Sequence, residues 1–98
     1  MGDQQLEDTR NRTQVSSDAV ASGVDRLNAE LIRRLHEKGF GTFASKHEIM
    51  GVMLEEWEEV KLAVGGHGTK DELVSELYDL AVAAVFGAVC IEYEFVDW

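Results

Sequence analysis

The sequence predicts an all-α fold, an antiparallel bundle of three main helices. Three segments carry apolar residues at helical spacing, two of them begin with a capping box, and the 98 residues include no proline. We expect one helical domain over residues 16–98, whose core, like that of a four-helix bundle, is completed by oligomerisation. Residues 1–15 are mostly polar, which predicts a disordered or loosely packed N-terminal tail.

The first helix is predicted from apolar residues that recur at spacings of four and three. Ser16 or Ser17 can cap its N-terminus, because a serine hydroxyl accepts a hydrogen bond from an otherwise unpaired helix amide. Gly39, directly after Lys38, is typical of a C-terminal stop. The apolar stripe consists of Val20, Val24, Leu27, Leu31 and Leu35.

The second and third helices each begin with a capping box, in which a hydroxyl residue is followed three positions later by a glutamate. The boxes run from Ser45 to Glu48 and from Thr69 to Glu72. The glycine-rich segment 65–68 lies between the two helices and predicts a short turn, so the helices form an antiparallel hairpin. The stripe of the second helix consists of Ile49, Met53, Trp57, Val60 and Val64.

The third helix, expected to end near residue 94, is apolar on every face from Leu80 to Ile91. A helix that is apolar all round must be buried all round, and two further helices of one short chain can hardly surround it. We therefore expect a homo-oligomer, a dimer or a tetramer; the alternative is a compact monomer. The uncharged run itself is too short to span a bilayer.

The charge balance argues against two classes of partner. The chain has 9 Lys and Arg against 19 Asp and Glu, a formal net charge of −10, which argues against nucleic-acid binding and against an anionic membrane surface. Its single cysteine, Cys90, cannot form an internal disulfide. Together with the lack of a signal-like N-terminal segment, this predicts a cytoplasmic protein.

Four carboxylates lie where the helical pattern places core-facing residues: Glu56, Glu59, Glu76 and Asp79. Each helix contributes two of them three residues apart, so each pair projects from one face. Counted from the turn, all four arrive at nearly the same level of the hairpin. Hard oxygen ligands without histidine or cysteine select Mg²⁺, or Mn²⁺, over zinc. A di-iron bundle would need a Glu-x-x-His motif, which the chain lacks; the remaining alternative is a solvated acidic groove.

At these residues the chain resembles the MazG-like all-α nucleoside triphosphate pyrophosphohydrolases. Their hallmark is EExxE, a spacer and ExxD on two antiparallel helices. The first half is matched by Glu55, Glu56 and Glu59, and the second half, after sixteen intervening residues, by Glu76 and Asp79. The resemblance covers about residues 17 to 95.

The resemblance implies a dimeric or tetrameric helical bundle that hydrolyses a (d)NTP to (d)NMP and pyrophosphate, with Mg²⁺ as the cofactor and water attacking the α-phosphorus. Such an enzyme would serve nucleotide-pool house-cleaning. Glu55, Glu56 and Glu59 would be catalytic, with Glu55 supporting the site or positioning the water. The implied metal ligands are Glu56, Glu59, Glu76 and Asp79.

Cationic or amide groups that could bind phosphate are scarce, because no Lys, Arg or Asn follows the second acidic pair. They must come from Arg33, Arg34, Lys38 or Lys46, or from a neighbouring subunit. We predict that Lys46, Arg33 and Trp57 contact the substrate, although Trp57 also lies on the apolar stripe, where it could simply pack in the core.

Two alternatives stay open at this point. The chain could be a non-catalytic helical oligomerisation or interaction module that retains an acidic metal site. Within the enzyme class, dimeric dUTPases also carry acidic site residues on helices, but their chains are usually longer. The shape of a pocket, rather than the motif, sets the preferred base and sugar.

Overall fold

The computed structural model describes residues 12–96, and every regular element in this range is helical. The elements are α1 (Ser17–Lys38), α2 (Lys46–Leu62) and α3 (Lys70–Glu92), with a π-helical turn at Ala63–His67 between α2 and α3. The predicted all-α class with three main helices is confirmed.

The predicted N-terminal caps are all present. The hydroxyls of Ser16 and Thr69 each accept a hydrogen bond from the backbone amide three residues later, at 3.1 Å. Ser45 accepts one from the Glu48 amide at 3.2 Å, and the Glu48 carboxylate accepts one from the Ala44 amide at 2.9 Å. These short-range bonds pair donors that the first helical turn leaves without partners, which is why the sequence located the helix starts.

The ends of the domain match the prediction in part. Gly39 ends α1 with a φ of +90°, a left-handed conformation that favours glycine. Helix α3 stops at Glu92, two residues before the predicted end. Of the expected N-terminal tail, residues 1–11 lie outside the described range, and residues 12–15 are non-helical and exposed.

Helix α2 packs along α3 in the antiparallel sense. Near the start of α2, Ile49 lies against Gly87 in the second half of α3; a Cβ atom at Gly87 would come within 2.9 Å of the Ile49 Cγ2. At the other end, Ala63 lies against Gly68. The bare glycine at position 87 thus allows the two helices to approach closely.

Helix α1 runs in the same direction as α3 but keeps away from α2. The Arg26 guanidinium lies 4.4 Å from the centre of the Tyr78 ring, and further along both helices Leu35 and Phe86 line a common cavity. No Cα atom of α1 lies within 8 Å of a Cα atom of α2. A groove therefore opens between α1 and α2, with α3 as its floor.

A single chain does not bury the apolar half of α3 on every face. Val82, Ala83, Gly87 and Cys90 are buried, but Val89 on the same stretch is 36% exposed. The expectation of complete burial is therefore not met by one chain alone, since α1 and α2 cover only part of the surface of α3.

Among the described helices, α3 has the length and composition to cross a membrane. It has 23 residues and a mean hydropathy of 1.8 over its most apolar window, and 17% of that window is buried. The uncharged run within this helix, from Leu80 to Ile91, is shorter. The core helix of a soluble protein passes the same test, so the expectation of no membrane partner stays a prediction.

Candidate metal centre

Three of the four predicted carboxylates meet where α2 crosses the first half of α3. Glu56 from α2 and Glu76 and Asp79 from α3 each place one carboxylate oxygen within 4.8 Å of the others. All three side chains are half-buried. We call these three residues the acidic cluster. The antiparallel packing of α2 on α3 brings these three together, whereas the register count had predicted the same for all four carboxylates.

Glu59 lies outside the acidic cluster. It is exposed, and it sits about 4.5 Å further along the axis of α2 than Glu56. Its negative charge nevertheless contributes to a raised pKa at both Glu56 and Glu76, so it is close to them. Its roles as fourth ligand and catalytic residue stay predictions.

Burial and the repulsion of neighbouring carboxylates make Glu56 and Glu76 reluctant to ionise. Burial is the largest cause that raises the pKa of Glu56, and the charge of Asp79 comes next. The same two causes, in the same order, raise the pKa of Glu76. A bound cation would relieve both effects, because it returns favourable charge to carboxylates that have lost water.

The donor set of the acidic cluster fits Mg²⁺ or Mn²⁺. All of its ligand atoms are carboxylate oxygens, and no histidine or cysteine joins the group within the described part of the chain. Mg²⁺ usually takes one or two carboxylates and completes its shell with water and substrate phosphates. The three convergent carboxylates could therefore hold such an ion.

A basic residue that our substrate-contact prediction left out touches the acidic cluster. The Arg34 guanidinium donates a hydrogen bond to the Asp79 carboxylate, linking α1 to α3. Arg33, which we predicted instead, binds Glu30 at 2.6 Å and Glu37 at 3.1 Å within α1. The helical pattern does contain the clue, since an arginine seven residues after Leu27 lies on the apolar stripe itself.

A cavity of about 360 Å³ adjoins the acidic cluster in the groove between α1 and α2. Arg34 and Glu56 belong both to its wall and to the polar network of the cluster. The rings of Phe43 and Phe86 also line it and meet edge to face, with their centres 5.4 Å apart. The other lining residues are Leu31, Leu35, Lys38, Gly39, Gly41, Val52, Glu55, Val82 and Ala83.

The remaining predicted contacts lie elsewhere. Lys46 is ten residues before Glu56, about 15 Å along α2, and lines a separate cavity with Gly87 and Ile91. Trp57 is 48% exposed and does not line the 360 Å³ cavity. Within one chain it therefore neither packs in the core nor faces this cavity. Glu55, by contrast, is exposed and belongs to the cavity wall.

Comparison with known proteins finds no matching family model, and no curated protein or solved structure matches significantly. The resemblance to the MazG-like enzymes therefore rests on the acidic motif and its spacing.

Proposed function

We propose that this chain is a Mg²⁺-dependent nucleoside triphosphate pyrophosphohydrolase that converts a (d)NTP to (d)NMP and pyrophosphate. One observation carries the proposal: Glu56 of the acidic cluster also lines a cavity, and the wall of that cavity carries Arg34 as well. A triphosphate needs a divalent cation and positive side chains at one end and room for a nucleoside at the other. This groove offers carboxylates that would hold the cation, the positive side chains of Arg34 and Lys38, and room for a nucleoside.

The acidic cluster would hold Mg²⁺, which neutralises phosphate charge and lowers the pKa of a nearby water molecule. Glu55 lines the cavity beside Glu56 and would accept the proton of the attacking water. The water oxygen forms a bond to the α-phosphorus, and the bond from that phosphorus to the bridging oxygen breaks. Pyrophosphate departs with the electron pair, and Arg34 and Lys38 in the cavity wall offset its charge.

The cavity would hold the nucleoside. Its volume of about 360 Å³ falls in the range of ordinary small-molecule sites. Phe43 and Phe86 offer aromatic surface to a base, and Leu31 and Leu35 offer apolar surface. The groove between α1 and α2 leaves this cavity accessible from solvent, so a substrate can enter without unpacking α3.

We also propose that the chain works as a homo-oligomer in the cytoplasm. Met50, Leu54 and Trp57 follow one another at spacings of four and three on α2, and each is between 48% and 57% exposed. Such a stripe is typical of a helix that packs against a partner. A second copy would cover it and the exposed part of α3, which would complete the core.

The alternative function is a non-catalytic helical interaction module that retains the acidic site. The same exposed stripe on α2 favours it, because an unpartnered apolar helix face fits a partner helix as well as a second copy. Metal-dependent turnover separates the two functions, since a module without activity would not hydrolyse a nucleotide.

The test is turnover of a panel of canonical and modified NTPs and dNTPs with Mg²⁺ in ¹⁸O-labelled water. We expect monophosphate and pyrophosphate as products, with the label in the monophosphate, and no turnover in EDTA. Glu56→Gln should lower kcat/KM by about 100-fold or more, since losing even a group that only orients a metal ligand costs about 10- to 100-fold.

Glu58→Gln is the matched control, because Glu58 lies on the same helix but is exposed and binds Lys61 at 2.8 Å. It should keep the wild-type rate. Label in orthophosphate or pyrophosphate would contradict attack at the α-phosphorus. Absence of turnover over the whole panel, with Mg²⁺ bound, would favour the interaction module.

A further inference from the structure

The ion pair between Arg34 and Asp79 differs in kind from the pairs that Arg26 and Arg33 form. Those two arginines bind glutamates three or four residues away within α1, whereas Arg34 reaches across to α3. The Arg34 and Asp79 side chains remain 26% and 23% exposed, so neither is locked in the interior. The pair can therefore open without disrupting the core.

Arg34 holds a carboxylate that a metal ion would also require. Asp79 belongs to the acidic cluster, and its carboxylate accepts the hydrogen bond from the Arg34 guanidinium. A divalent cation carries twice the charge of a guanidinium and is bound by the same type of oxygen. A metal ion bound at the acidic cluster would therefore compete with Arg34 for the Asp79 carboxylate.

Arg34 also faces the space that a phosphate chain would occupy. It lines the 360 Å³ cavity together with Lys38, which lies one turn later on α1, while Glu55 and Glu56 line the cavity from α2. The cations thus belong to one wall and the carboxylates to the opposite one. A guanidinium donates two parallel hydrogen bonds to a phosphate as readily as to a carboxylate.

We propose that Arg34 is a phosphate-binding residue with two positions: it holds Asp79 in the metal-free protein and turns to a nucleotide phosphate once a divalent cation has taken Asp79. This inference rests on the proposed function. It makes metal and nucleotide binding mutually favourable, because the metal releases Arg34 and the phosphate keeps Arg34 away from Asp79. By linkage, each ligand raises the affinity of the other by the same factor.

The test measures binding without turnover. Isothermal titration gives the Mg²⁺ affinity of the free protein, and then the affinity for inorganic tripolyphosphate at saturating Mg²⁺, a probe that does not depend on the base. Arg34→Gln should bind Mg²⁺ about 3- to 10-fold more tightly, since its competitor is gone, and tripolyphosphate about tenfold or more weakly, since a charged hydrogen bond is lost. Arg26→Gln is the control, because Arg26 lies on the same helix, pairs with Glu30 and does not line the cavity; it should change neither affinity beyond about twofold.

Opposite changes in the two affinities support the inference, because the loss of a merely structural arginine would weaken the binding of both ligands. Arg34→Lys keeps the positive charge and controls for misfolding of Arg34→Gln; it should recover part of the tripolyphosphate affinity. Unchanged affinities in Arg34→Gln, with tight binding of both ligands by the wild type, would overturn this inference and leave the proposed function standing. A wild-type protein that binds no Mg²⁺ would overturn both.

Discussion

Replacing Glu56 with glutamine should stabilise the metal-free protein at neutral pH and abolish its stabilisation by Mg²⁺. Glu56 is half-buried and shares the acidic cluster with Glu76 and Asp79. Glutamine keeps the shape of the side chain but removes its negative charge. The negative charge of Glu56 thus costs stability when no metal is present.

The size of the effect follows from the spacing of the charges. The carboxylate oxygens lie within 4.8 Å of one another, and two like charges at that limit repel by about 0.9 kcal/mol in water and about 3.5 kcal/mol at an effective dielectric constant of 20. Glu56→Gln removes two such repulsions, with Glu76 and Asp79, a smaller one with Glu59, and one attraction, to Arg34. Because the site is partly open to solvent, we expect a net gain of about 1 kcal/mol. For a domain of this size, that corresponds to an increase in Tm of about 4–8 °C.

The pH dependence has a definite sign. The folded-state pKa of Glu56 is raised above the ordinary value of 4.5, so between the two values the folded state binds more protons than the unfolded state. Stability therefore falls as pH increases through this window, and the penalty is complete above the folded-state pKa. The Glu56→Gln variant should show a shallower fall over the same window.

The assay is urea and thermal unfolding in EDTA and in Mg²⁺, with Glu58→Gln as the control. Wild type at a free Mg²⁺ concentration of 100 times Kd should gain about 2.7 kcal/mol, whereas Glu56→Gln should gain almost nothing. The exposed control should stay within about 0.5 kcal/mol of wild type in both conditions. A Glu56→Gln variant that is less stable than wild type in EDTA would refute the reasoning.

Three further predictions concern packing, capping and assembly. Gly87→Ala should destabilise the fold by about 1 kcal/mol, because overpacking against Ile49 outweighs the better helix propensity of alanine. In a double-mutant cycle, Ile49→Ala in the same chain should recover part of the stability lost in Gly87→Ala, and additive effects would refute the contact. Ser45→Ala should cost about 1 kcal/mol in urea unfolding through its lost cap, and an unchanged midpoint would count against that role. Leu54→Glu should lower the mass measured by light scattering to that of one chain, while a wild-type protein that is already monomeric would contradict the oligomer.

Local chemistry made most of the fold predictable. The Ser45 and Thr69 caps act within one helical turn, so the residues that form them are close in sequence as well as in space. The glycine-rich turn, with Gly66 at a φ of +92°, is a local feature for the same reason. The pairing of Glu56 with Asp79 could also be predicted from the sequence, because a short turn between two regular helices leaves only one antiparallel register.

The sequence by itself determined the three helices, the antiparallel hairpin and three members of the acidic cluster. The tertiary structure alone decided that Arg34 rather than Arg33 meets Asp79, and that Glu59 lies outside the acidic cluster. It also decided that α1 stays apart from α2 and so leaves a cavity beside the carboxylates. These features depend on the rotation and separation of helices that share no local contacts, which are set by packing across α3 rather than by spacing along the chain.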